Sequence, residues 1–284
     1  MTFREAETIL TDELKNLYDQ RESVQIAAWV MEHITGKKKS ERLVAVRQEL
    51  NETERANWRG IKDRLLQGEP IQYVLNEAPF LEWIFSVNRS TLIPRPETEE
   101  LVAWILSDHS SAKKLQVLDA GTGSGCIAIA LKINRSGWQI IAADISRDAL
   151  SIVKENASRL AAEVETQEID ILDINHPAWR TGCDIIVSNP PYIPISEKER
   201  LATHVSRFEP ERALFVPDDH PLLFYEALGL AAKNYLLPGG MLYLEINQAF
   251  GAATTSLLEQ MDFQVTLRKD LQGNDRMIRA VKKN

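Results

Sequence analysis

The chain has 284 residues, 44% hydrophobic and 26% charged, which suits a soluble globular protein of one large domain or a large and a small one. Its formal net charge of −8 argues against a broad surface for gripping DNA or RNA, and the only basic cluster, Lys37-Lys38-Lys39, reads as a solvated joint between helices. Scattered histidines and two isolated cysteines, Cys126 and Cys183, offer no metal-ligand spacing, so no metal is expected and the thiols read as reduced and buried.

The N-terminus lacks the basic and apolar regions of a leader, and no apolar stretch approaches the ~20 residues of a membrane span, so a cytoplasmic protein without membrane binding is expected. Residues 1–75 are helical in pattern and free of proline until Pro70. Asn51 can cap a helix with Glu54 three residues on, and Gly36 and Gly68 stand where helices end. Trp29, Val30, Ile34, Leu43, Val46, Leu50, Trp58, Ile61 and Leu65 supply apolar stripes for a small bundle. Residues 76–95 change to short aromatic and β-branched runs, which predicts a hairpin linking this unit to a second domain over 96–284.

From there strands and helices alternate. Strands are predicted at 115–119, 139–144, 164–169, 184–188 and 241–246, with helices at 97–106, 126–133, 147–161 and 250–261. Segments 263–269 and 276–282 read as an antiparallel closing pair. Such alternation implies a parallel sheet covered on both faces.

The stretch after Val117 is a strand, a glycine-rich turn and a helix in one line. Gly121, Gly123 and Gly125 let the backbone turn sharply and approach a ligand, with Thr122 and Ser124 between them. Their G-x-G-x-G spacing differs from the pyrophosphate fingerprint, and Asp119 just before it suits a cation. S-adenosylmethionine, with its sulfonium and ammonium groups, is such a ligand. Asp144 ends the next strand, where an acid pairs with ribose hydroxyls, and Asp170 ends the third, beside Ile171 as an apolar wall for adenine.

Asn189-Pro190-Pro191-Tyr192 follows the fourth strand. Two prolines lock φ near about −65° and donate no N–H, so the turn is stiff and its carbonyls stay free. The Asn189 side-chain oxygen and the Pro190 carbonyl can accept the two protons of a planar –NH₂ group, which Tyr192 could cover with its ring. Arg95 and Glu97 are expected to line the same cleft, with a structural ion pair as the alternative.

Assembled in this order, the residues resemble the release factor glutamine methyltransferase family (HemK/PrmC type). The resemblance runs over nearly the whole chain and is carried by Leu92-Ile-Pro-Arg-Pro-Glu-Thr-Glu99, the glycine loop, Val187-Ser-Asn-Pro-Pro-Tyr-Ile193, Phe208-Glu-Pro and Ala213-Leu-Phe. It implies a Rossmann-like class I methyltransferase fold, α/β with a mostly parallel seven-stranded sheet. It also implies methyl transfer from S-adenosylmethionine to the glutamine nitrogen of the Gly-Gly-Gln motif in class I peptide release factors, and a helical N-terminal domain that helps to dock them. Departures from the family pattern are Asn76, where glycine is usual, Leu81-Glu82 in place of an aromatic-glycine pair, and Ile171 in place of an aromatic. A monomer acting on protein, without direct nucleic-acid binding, is expected. The rival reading is an amino-methyltransferase of adenine or guanine in nucleic acid, because the tetrapeptide could hold any –NH₂.

Overall fold

The computed structural model describes residues 1–110, 113–177, 179 and 182–283. It divides into two compact units, the first made of Met1–Glu77 with Ala202–Phe208 and the second of Ala78–Leu201 with the residues from Glu209 on.

In the first unit the main helices are Phe3–Leu14, Gln20–Thr35 and Glu52–Leu66. Asn51 caps the last of these, its side chain accepting from the Glu54 N–H while Glu54 returns a bond to the Asn51 N–H. Gly36 ends its helix with φ 63°, a left-handed turn that costs glycine nothing. Leu10, Leu14, Val30, Met31 and Leu65 close the core without measurable exposure. Leu43, expected in that stripe, is 64% exposed. The short helix Lys39–Val44 turns Arg42 inward instead, where its guanidinium donates to the Lys37 and Ala28 carbonyls at 2.7 and 3.0 Å. Asn76 ends the helix Ile71–Leu75 at φ 57°. Asparagine is the ordinary substitute for glycine in that conformation, so this departure preserves the turn.

The second unit is built on strands β1 (Glu77–Phe80), β2 (Trp83–Ser86), β3 (Gln116–Ala120), β4 (Gln139–Asp144), β5 (Glu165–Glu168), β6 (Cys183–Ser188), β7 (Ile193–Pro194), β8 (Phe215–Val216), β9 (Leu236–Glu245), β10 (Phe263–Lys269) and β11 (Asp275–Lys282). Seven of them form one sheet in the order β10-β11-β9-β6-β3-β4-β5, in which only the β10/β11 and β11/β9 pairs are antiparallel. This is a class I methyltransferase fold. The sheet carries a buried apolar layer on each face: Val117, Ile140 and Val187 on one, and Leu118, Ile186 and Leu242 on the other. Near-continuous Val/Ile/Leu runs in the central strands follow from burial on both sides.

Chain order β3-β4-β5 runs outward in one direction, and β6 then returns to the other side of β3. The reversal opens a crevice between the carboxyl ends of β3 and β6, where open α/β sheets bind ligands. Ser188, ending β6, donates to the Ala120 carbonyl at 2.6 Å and ties the two strand ends together.

Strand β9 starts five residues earlier than its apolar run suggests, taking in Pro238-Gly239-Gly240. A shift of register between Cys183 and Ile185 accommodates the extra residues. A Cβ on Gly240 would lie 2.8 Å from the Leu237 carbonyl oxygen and 3.1 Å from that of Asp184, so only glycine fits this bulge. The two-residue parallel pair β7/β8, absent from the sequence expectation, joins the segment after Asn189-Pro190-Pro191-Tyr192 to Phe215-Val216. It thereby brings Arg212 and Ala213 to the crevice.

Candidate active site

The crevice is a cleft of ≈ 330 Å³, the size of a site for a small-molecule ligand. Its walls include Gly121, Thr122, Gly123 and Ser124, together with Asp144, Asp170 and Ile171. Asn189, Pro191, Arg95 and Thr98 line it as well. One cavity thus gathers ends of four parallel strands and the segment that precedes the helix Pro96–Asp108.

The glycine loop is shaped by its own backbone. The N–H groups of Gly121 and Thr122 both donate to the Ala143 carbonyl, at 2.8 and 2.9 Å, and bend the chain back over β4. Gly121, with φ 73°, also passes so close to Ile171 that a Cβ would sit 3.1 Å from its Cδ1. Gly125 starts the helix Cys126–Asn134 outside the cleft wall, where a Cβ would meet Val153 at 3.0 Å. Asp144 spans the loop mouth: Oδ2 accepts from the Gly123 N–H and Oδ1 from the Ser146 N–H, both at 2.9 Å. Each oxygen keeps a lone pair for a ligand hydroxyl. Burial raises the proton affinity of Asp144, while these bonds oppose the shift. Asp170 Oδ1 accepts from the Leu172 N–H at 2.9 Å, which fixes it beside Ile171.

Asp119, read from the sequence as the partner of a cation, stands behind the loop rather than in the cleft wall. It is fully buried, its Oδ2 accepting from the Thr122 hydroxyl at 2.6 Å and the Ala128 N–H at 3.1 Å. Its Oδ1 is buried without a partner among the described residues. Burial pushes its pKa up to about 7, against the pull of the two hydrogen bonds.

The acceptor side is held by side chains distant in sequence. Asn189 Nδ2 donates to Thr98 Oγ1 at 3.1 Å, and Thr98 Oγ1 donates to Glu245 Oε2 at 2.6 Å. The Tyr192 hydroxyl donates to Glu245 Oε1 at 3.2 Å. Tyr192, expected to lay its ring on an acceptor amide, therefore directs its phenol at a buried carboxylate and packs against the core behind the strand end. Pro190 is buried beside it, also outside the cleft wall. Arg95 does line the cleft and is also ion-paired: its Nη2 lies 2.6 Å from Oε1 of Glu209, whose side chain is wholly buried. Glu209 Oε2 further accepts from the Ile93 N–H at 3.2 Å, so one carboxylate grips both ends of Ile93-Pro94-Arg95. Glu97 occupies the first turn of the following helix, outside the cleft wall, where its charge raises the proton affinity of Glu245.

Thr98, Glu245 and Glu209 did not stand out as site residues in the sequence. One signal was present for Glu245: a carboxylate closing an apolar run, Leu242-Tyr-Leu-Glu245, in a strand that must be buried.

The PrmC N-terminal domain family matches residues 5–75, and the Methyltransferase small domain family matches residues 99–207. A Release factor glutamine methyltransferase of Flavobacterium psychrophilum is 39% identical over 287 residues, covering 99% of both chains. Another, from Bacteroides thetaiotaomicron, is 44% identical over 218 residues, covering 76% of this chain and 77% of its own. Among solved structures, the T. thermophilus 16S rRNA N2 G1207 methyltransferase in complex with AdoMet and guanosine matches with a TM-score of 0.52 at 18% identity. That match covers 73% of this chain and 50% of the other, and it shows the fold alone. With both characteristic domains present and extensive identity along its length, the chain belongs to the release factor glutamine methyltransferase family.

Proposed function

We propose that this protein transfers the methyl group of S-adenosylmethionine to the side-chain nitrogen of the glutamine in the Gly-Gly-Gln motif of class I peptide release factors. The observation that carries the reading is the placement of Asn189 in the wall of the cleft that also holds the glycine loop and Asp144, in a chain of this family. Gly123 lines the cleft, and a Cβ there would project into open space, so the loop presents bare backbone to a ligand lying against it. S-adenosylmethionine supplies an electrophilic methyl on a sulfonium centre. Asp144 would hold the ribose hydroxyls, while Asp170 and Ile171 would flank adenine.

An amide nitrogen is a poor nucleophile because its lone pair is delocalised. Asn189 Oδ1 would accept one of its two N–H groups and fix the nitrogen toward the methyl, and the amide must reach past the present cleft wall for the Pro190 carbonyl to accept the other. Among the described residues no donor bonds the Pro190 carbonyl. As the C–N bond forms and the C–S bond breaks, the electron pair goes to sulfur. Positive charge then grows on nitrogen next to these two oxygens, and one proton leaves to water. This is positioning together with preorganised electrostatics, and it needs no strong base.

The same reading has a cytoplasmic monomer that acts on protein and docks it in part through the helical N-terminal residues. Among the described residues no helix is long and apolar enough to cross a membrane. Incubating a class I release factor with the protein and S-adenosylmethionine, then digesting it for mass spectrometry, should place one methyl on the Gly-Gly-Gln peptide. Labelled DNA or rRNA with an unlabelled release factor would favour the nucleic-acid reading instead.

A further inference from the structure

A carboxamide can sit in two orientations a half-turn apart, nearly equal in shape and opposite in hydrogen bonding. For Asn189 the difference decides whether an acceptor or a donor faces an incoming –NH₂ group. Thr98 is 2% exposed and Glu245 1% exposed, so neither can turn to water for another partner.

An ionised carboxylate accepts and never donates. Both oxygens of Glu245 are taken, Oε2 by the Thr98 hydroxyl at 2.6 Å and Oε1 by the Tyr192 hydroxyl at 3.2 Å. The single proton of Thr98 is thus committed, and its oxygen can only accept from Asn189. Turning the amide over would set Oδ1 against an oxygen with no proton to give. Asn189 must therefore point Nδ2 at Thr98, 3.1 Å away, and Oδ1 in the opposite direction.

We propose that Thr98 and Glu245 are positioning residues that hold the Asn189 carboxamide with its oxygen presented to the substrate. The inference rests on the methyl-transfer reading above. It also explains a buried carboxylate at the end of β9, which would otherwise be an expensive way to fill space. Burial raises the proton affinity of Glu245 and Glu97 adds to the rise, while Arg276 and the hydroxyls of Thr98 and Tyr192 oppose it. Tyr225 is close enough to feel the charge of Glu245. A proton gained by Glu245 would make it a donor, release the Thr98 hydroxyl toward Asn189, and let the amide turn over.

The test uses the full-length protein with a release factor as substrate. Thr98→Val keeps the shape and removes the hydroxyl. It should lower kcat about 10–100-fold through misorientation, with S-adenosylmethionine affinity within about twofold of wild type by calorimetry. Thr98→Ser should restore kcat to within about threefold, because the hydroxyl alone orients the amide. In an Asn189→Ala background, Thr98→Val should cost nothing further. Glu245→Leu removes the acceptor that commits the Thr98 proton and should reproduce the kcat loss, which decides the matter if Thr98→Val does not fold. Wild-type kcat in folded Thr98→Val or Glu245→Leu, or additive losses in the double variant, would overturn the proposal. A wild-type protein that leaves the release factor unmethylated would instead overturn the functional reading.

Discussion

The two halves of the cleft are built differently. On the cofactor side each polar group is fixed by backbone within one strand–helix–strand stretch or a single turn: Asp170 by an N–H two residues on, Asp144 by N–H groups 2 and 21 residues away. On the acceptor side the bonds run between side chains, across 91 residues from Asn189 to Thr98, 147 from Thr98 to Glu245 and 114 from Arg95 to Glu209. The first half can form once β3 and β4 have paired and the turns at their ends have closed. The second exists only when the whole sheet and the segment before its first helix are in place. Cofactor geometry should therefore tolerate distant changes, whereas acceptor geometry should be lost to them.

Mutation of Asn189 tests that contrast most strongly. If its oxygen stabilises charge only as the methyl moves, Asn189→Ala should lower kcat by about 10²–10³, or roughly 3–4 kcal/mol, with cofactor affinity nearly unchanged. Single-turnover kinetics alongside calorimetry would separate the two. Near-normal turnover by the folded variant would remove Asn189 from catalysis.

Glu209→Ala removes the carboxylate that grips Arg95 and the Ile93 N–H. Arg95 can reach solvent, so the loss should sit at the lower end for a broken buried pair, about 3 kcal/mol of stability in a denaturant titration. The folded fraction should bind S-adenosylmethionine normally, because nothing in the glycine loop leans on Glu209. Equal loss of cofactor binding would blur the division between halves.

Asp144→Ala is the matching test on the cofactor side, expected to weaken S-adenosylmethionine by the ~1.5–3 kcal/mol of bonds to a charged group. At saturating cofactor kcat should recover. A persistent kcat defect would mean that Asp144 also serves the acceptor.

Asp119 gives the smallest effect and the clearest sign. Its pKa is raised from 3.8 to about 7, so the folded protein holds the proton more tightly than the unfolded chain. The stability this contributes is complete below about pH 4 and is lost as pH rises through about 7. A cation in the cleft favours the ionised form. Cofactor affinity should thus rise about tenfold between pH 6 and pH 8, with proton release visible by calorimetry in buffers of different ionisation heat. Asp119→Asn should flatten both dependences.

The same contrast explains what could be read from the sequence. The glycine loop, Asp144 and Asp170 are local words, each a residue type tied to a turn or strand end, and the structure brings them to one cleft. The sheet was legible from alternating apolar periods. Thr98 was only a letter in a motif, since its partner lies 147 residues away and no spacing rule connects them. Tyr192 shows the limit from the other side: its ring suggested stacking, but the destination of a phenol hydroxyl depends on which strand arrives beside it. Leu43 failed for a similar reason, because helical period alone could not say that Arg42 would find two carbonyls inside.

Residues 202–208 cluster with the N-terminal unit although they lie within the catalytic sequence. The chain therefore crosses between units at 77/78, again at 201/202 and again at 208/209, the last crossing falling immediately before Arg95's partner Glu209. No single cut yields either unit whole. A gene truncated at 77/78 would make a catalytic fragment carrying a seven-residue orphan of the other unit next to the acceptor clamp. Domain swaps between relatives would have to exchange two stretches together, as one exchanges a key with its lock.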